Sequence, residues 1–138
     1  MQKTTKETMM KGNKYQGLGA IMLGISIAFG ALGAHLLEKS LTPHYLDVWK
    51  TACLYFSFNA LGLLFIGSSS EINKTVQKTP ITMIVIGTFV FSVSLWLVAL
   101  NKQIHPSITK FAIITPLGGI AMIAGWIWIG FVLLRSKK

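Results

Sequence analysis

The chain has 138 residues, 52% hydrophobic and only 12% charged, where a soluble globular domain carries about 25% charged residues. Its apolar residues fall into four long blocks, each close to the roughly 20 residues that cross hydrocarbon, so a water-solvated domain is excluded and the bilayer is the solvent. The net charge of +9 lies in tails and short loops rather than on a continuous basic face, which excludes nucleic acid as the expected partner and fits a membrane flanked by basic residues.

Residues 1–14 carry Lys3, Lys6, Lys11 and Lys14 against Glu7 and show no apolar periodicity, so they are expected to form a flexible basic cytoplasmic tail. The first span is predicted over about 15–37. A cleaved signal peptide would share the basic start and the small residues Ala31, Gly33 and Ala34 near its end, but this apolar run exceeds the usual signal core of about 7–15 residues. Thr42-Pro43 then reads as a cap followed by a proline at the first helical position, where a missing N–H has no consequence. The second span runs over about 46–66, with His44, Tyr45, Asp47, Trp49 and Lys50 suited to the interface, and Ser68-Ser69-Ser70-Glu71 ends it.

Thr79-Pro80 repeats the cap-then-proline signal before a third span over about 81–100. Its Val, Ile and Phe content would suit a buried strand, but its length requires a helix. The fourth block, about 111–134, is interrupted by Thr115-Pro116. Either the helix kinks there, or it begins at Pro116 with Thr115 as cap, and the remainder still spans at about 1.5 Å per residue. A short basic tail, 135–138, follows. The fold class is therefore all-α, an integral membrane bundle of four transmembrane helices. Nine Lys and Arg lie on the side of the termini, namely four in the first tail, Lys74, Lys78, Arg135, Lys137 and Lys138, against Lys39, Lys50, Lys102 and Lys110 on the other. This imbalance predicts an N-in, C-in orientation in a bacterial plasma membrane.

No Asp, Glu, Lys or Arg lies in the hydrocarbon-buried part of any span, which argues against the commonest proton- and ion-coupled transport mechanisms. His35 is the imidazole inside a span. Together with Thr51, Tyr55 and Asn59 of the second helix, Ser92, Ser94 and Trp96 of the third and Thr115 of the fourth, it makes a candidate polar cluster, largely in the outer leaflet. Such a cluster is either a small site in which His35 binds a ligand or moves a proton, or a set of interhelical hydrogen bonds beside an interfacial belt of Trp49, Tyr55 and Trp96. The second reading is favoured, because a polar group in hydrocarbon needs a partner whatever the protein does.

Ala20, Gly24 and Ala28, the offset pair Gly30 and Ala34, and Ala121 with Gly125 repeat at four-residue spacing, which lets helix backbones approach closely. They are expected to form seams within the bundle before they serve a dimer. Trp126 and Trp128 read as membrane anchors and Cys53 as a small packing residue without the partners of a disulfide or metal site. No nucleophile with its base is legible, so no enzyme, cofactor or metal is expected. A small structural or accessory protein working through membrane lipid, a homo-oligomer or a membrane-protein partner is the leading reading. A small-solute channel or transporter is its rival, and a membrane enzyme using His35 as acid or base ranks below both.

The chain resembles the domain-of-unknown-function 423 family, whose animal relatives are called transmembrane protein 256. The resemblance rests on Gly30-Ala31-Leu32-Gly33-Ala34-His35, Trp49-Lys50-Thr51-Ala52 with Tyr55, Ser94-Leu95-Trp96-Leu97-Val98-Ala99-Leu100, and Thr115-Pro116-Leu117-Gly118-Gly119 with Gly125-Trp126. It implies a four-helix membrane fold and an uncleaved first span, and brings no established reaction. Leu36, Phe56 and Asn59 stand where the family pattern has glycine, glutamine and often histidine, so any polar site of the family is incomplete here.

Overall fold

The computed structural model describes residues 13–136, apart from the side chains of residues 106, 108 and 109; the tail segments 1–12 and 137–138 lie outside the described residues. α1 (Lys14–Leu32) starts at Asn13, whose side chain accepts from the Tyr15 N–H at 3.0 Å, and passes into one π-helical turn, Gly33–Leu37. α2 (Pro43–Ser68) follows, and after one residue the short α3 (Ser70–Thr75) is capped by the Ser69 hydroxyl, which accepts from the Ile72 N–H. α4 (Lys78–Ala99) leads into the one-turn α5 (Asn101–Ile104), a 3-10 segment (Pro106–Ile113) and α6 (Thr115–Arg135). The π turn with α1, α2, α4, and α6 with its lead-in are each long and apolar enough to cross a membrane.

Neighbouring long helices run antiparallel, so both ends of the described chain lie at one end of the bundle. The helices form an open row, α1 against α2, α2 against α4 and α4 against α6, and among the described residues no Cα of α1 comes within 8 Å of α4 or α6. α2 and α4 therefore hold the core, with Ala52, Phe56, Leu63, Ile81 and Ile84 buried. Large side chains such as Ile21, Phe65, Ile86 and Ile120 are exposed, which water would penalise and hydrocarbon does not.

Small residues every seventh position make the seams. On α1, Gly19 and Gly33 meet α2 so closely that an added β-carbon would lie 2.7 Å from the Ala60 carbonyl oxygen or 2.6 Å from Trp49 Cδ1. Ser26 between them donates to the Cys53 carbonyl or pairs with the Ser57 hydroxyl, each at 2.7 Å. On α4, Pro80, Gly87 and Ser94 face Gly125, Gly118 and Thr115 of α6 in the same way. A seven-residue repeat keeps one strip facing a partner that crosses at a shallow angle, of about 20°.

Several expectations need correction. Ala20, Gly24, Ala28, Gly30 and Ala34 are all exposed, so the four-residue stripe of α1 is not an internal seam; Ala121 and Gly125 do lie in the α4–α6 seam. The third span, α4, starts at Lys78 with Gln77 before it, placing Thr79 and Pro80 inside the first turn. Of the two alternatives at Thr115-Pro116, a start rather than a kink is found, within one residue of Pro116, but without Thr115 as its cap. The α-helix begins at Thr115 after the 3-10 segment, and the Thr115 hydroxyl is spent across the seam on Ser94 at 2.7 Å.

Candidate functional site

The residues of the candidate cluster sort into separate places. Asn59, 4% exposed, sits midway along α2 and reaches toward α6. Its carbonyl oxygen accepts from the Trp126 indole N–H at 2.8 Å, while its amide donates to the Tyr55 carbonyl and, at 3.2 Å, to the Met122 sulfur. Gly62 makes this node possible, because any β-carbon there would overlap the Trp126 ring. Trp126 is thus an interhelical hydrogen bonder rather than the anchor its position suggested, whereas Trp128 remains exposed.

Ser92 donates to the Ala52 carbonyl of α2 at 3.1 Å, and Ser94, paired with Thr115, also lies 2.8 Å from the Phe91 carbonyl. Each hydroxyl therefore has a partner, as buried polar groups require. Thr51 is exposed and, among the described residues, bonds only the Asp47 carbonyl of its own helix. Tyr55 is 43% exposed, with its ring edge-on to Phe91 at 5.1 Å.

His35 does not join them. It belongs to the π turn at the end of α1 and is exposed, on the side of the helix away from α2. The π turn instead serves Gly33, which lies under the Trp49 indole. Trp49 donates to the Phe29 carbonyl at 2.7 Å, and its ring meets Phe29 and Trp96 at centroid distances of 5.6 and 6.0 Å. Trp49 and Trp96 are buried between helices and do not form the interfacial belt expected of them. The Trp96 indole N–H is buried without a hydrogen-bond partner among the described residues; packing of its ring against Phe29 and Phe56 holds it.

Ser26, Ser57 and Met122 escaped the sequence reading, although the seven-residue spacing of Gly19, Ser26 and Gly33 was available as a signal. Among the described residues no three His, Cys, Asp or Glu come together as a metal site would need. The arrangement as built ties helices together, and the sequence motifs that carry the family resemblance fall on its contacts: Gly33 with Trp49, Ser94 with Thr115, Gly118 with Phe91, and Gly125 with Ile84.

Comparison with known proteins bears out the family resemblance. Residues 29–119 match the family model described as protein of unknown function (DUF423). A UPF0382 membrane protein of Staphylococcus haemolyticus is 36% identical over 80% of this chain and 86% of its own length. One from Bacillus subtilis is 33% identical over 81% of this chain and 89% of its own, and one from Schizosaccharomyces pombe is 30% identical over 74% and 86%. No solved structure matches the chain. With four helices fit to span a bilayer and a family match over most of its length, the chain is a membrane protein belonging to the DUF423 family.

Proposed function

We propose that this protein is a small accessory component of the bacterial plasma membrane, inserted with both ends in the cytoplasm, that works by helix contact with a second copy of itself or another membrane protein. The outward face of α1 carries this reading. Gly17, Ala20, Gly24, Ala28 and Ala31 recur at three- and four-residue spacing and are all exposed, and at about 100° per residue they lie opposite the Gly19, Ser26 and Gly33 seam. A β-carbon added at Gly17 or Gly24 would meet nothing within 4 Å. Lipid tails gain nothing from so smooth a strip, whereas a neighbouring helix approaches closely over it. A solute path has less support, because Asn59, Ser92, Ser94 and Thr115 are engaged by neighbouring helices.

Single cysteines at Ala20, Gly24 or Ala28, oxidised in native membranes with Cys53 replaced by serine, test the reading. A disulfide-linked dimer is expected at Gly24 and not at Phe65, which faces lipid elsewhere. If neither a dimer nor a linked partner forms at any of the three, contact through this face is refuted.

A further inference from the structure

α2 and α6 lie on either side of α4, and among the described residues their Cα atoms do not come within 8 Å of one another. The gap is an apolar crevice of about 520 Å³, a size typical of small-molecule sites, which run from about 300 to 1,000 Å³. Phe58 and Ile123 on its rim are exposed on the outer face of the bundle, so its mouth opens toward hydrocarbon and admits molecules already dissolved in the bilayer.

Its walls are unusually ring-rich and fixed. Tyr55, Phe58, Phe91 and Trp126 line it. Trp126 is held by Gly62 behind the ring and Asn59 at its N–H, and Tyr55 is braced against Phe91. Flat aromatic walls favour a flat ring between them over a flexible chain. The polar groups ask for an acceptor. One Asn59 N–H is spent on the Met122 thioether at 3.2 Å, a weak acceptor on a flexible side chain. One turn earlier on the same face of α2, with a backbone position about 6 Å along the axis, is Tyr55, 43% exposed, whose phenol is a second donor. A plain acyl chain would leave both donors as they are. A ring with a carbonyl on each of two opposite edges would satisfy both.

We propose that the α2–α6 crevice binds a lipid-soluble molecule of the quinone class, its ring between the aromatic walls, one carbonyl on Asn59, the other on Tyr55, and its tail leaving through the lateral mouth. Binding alone is inferred, with no electron transfer. It is independent of contacts made through α1.

The test uses the full chain in lipid nanodiscs and decyl-benzoquinone, which quenches tryptophan fluorescence. A saturable quenching component from Trp126 is expected above the linear collisional background. Gly119→Leu should abolish it. A β-carbon there makes only ordinary contact with Phe91, at 3.7 Å, and the rest of the side chain fills the crevice. Phe65→Leu, at an exposed position of α2 outside the crevice, should retain it. Should Gly119→Leu fail to fold, Ile123→Phe on the lipid-facing rim blocks the same space. Decylbenzene, with the tail and ring but no carbonyls, should compete at least about fivefold less well, the factor expected for losing one hydrogen bond. Purely linear quenching, retention of saturation when the crevice is blocked, or equal competition by decylbenzene would each overturn the assignment, the last leaving an unselective apolar groove.

Discussion

Replacing Gly33 with alanine sets a methyl group 2.6 Å from Trp49 Cδ1 and 2.8 Å from its Nε1. The indole has nowhere to go, since its N–H is bonded to the Phe29 carbonyl at 2.7 Å and its ring is wedged against Phe29 and Trp96. Overpacking of this kind costs about 1–3 kcal/mol, and displacing the ring far enough to relieve it loses a hydrogen bond of about 1 kcal/mol, so a loss of about 2–4 kcal/mol is expected. Gly24→Ala adds the same methyl to the same helix where nothing of the single chain lies within 4 Å, and in dilute, monomeric protein should stay within about 0.5 kcal/mol of the parent. Helices persist in the denatured state of a membrane protein, so alanine's higher helix propensity acts on both states and largely cancels. Reversible unfolding in mixed micelles titrated with sodium dodecyl sulfate, followed by near-ultraviolet circular dichroism, measures both variants. Equal stabilities, or a larger loss for Gly24→Ala, would refute the assignment of Gly33 to the seam and Gly24 to the outer face.

The same titration tests the node between α2 and α6. Asn59→Leu strips the Trp126 N–H of its acceptor and should cost about 1–3 kcal/mol, whereas adding Trp126→Phe should recover part of that loss, because no donor is then left unpaired. Additive losses would show that the bond contributes nothing. Ser94→Ala and Thr115→Val should couple by about 0.6 kcal/mol, the usual worth of a hydrogen bond between membrane helices, and zero coupling in the double-mutant cycle would count against the 2.7 Å contact. For the proposed orientation, a fluorescent protein at the C-terminus should glow and alkaline phosphatase there should stay inactive; an active phosphatase places the terminus outside.

Much of the architecture is legible because spanning a bilayer is a local property. Length and apolarity alone separate the four blocks, and Pro43 marks the start of α2 through its missing N–H. Thr79-Pro80 is less informative. A proline is tolerated at several positions of a first turn, where the N–H groups have no intrahelical acceptor, so it locates the start of α4 only to within a few residues. The polar residues are harder still. The premise that a polar side chain in hydrocarbon needs a partner holds for Asn59, Ser92, Ser94 and Thr115, which are enclosed by neighbouring helices. It does not reach His35, which sits in the last turn of a helix that packs on one side only.

By itself the sequence determines the solvent, the number of crossings and the supply of small and polar residues, because each depends on composition within a window of about 20 residues. Which way each helix is rotated is decided by tertiary contact. In a soluble helix a polar stripe marks the outside, but these helices are apolar all round, and hydrocarbon and bundle interior reward the same side chains. Two strips of small residues therefore compete on α1, and only the fit of Gly19, Ser26 and Gly33 against Ala60, Cys53 and Trp49 turns one of them inward. That rotation leaves Gly24 and His35 facing out.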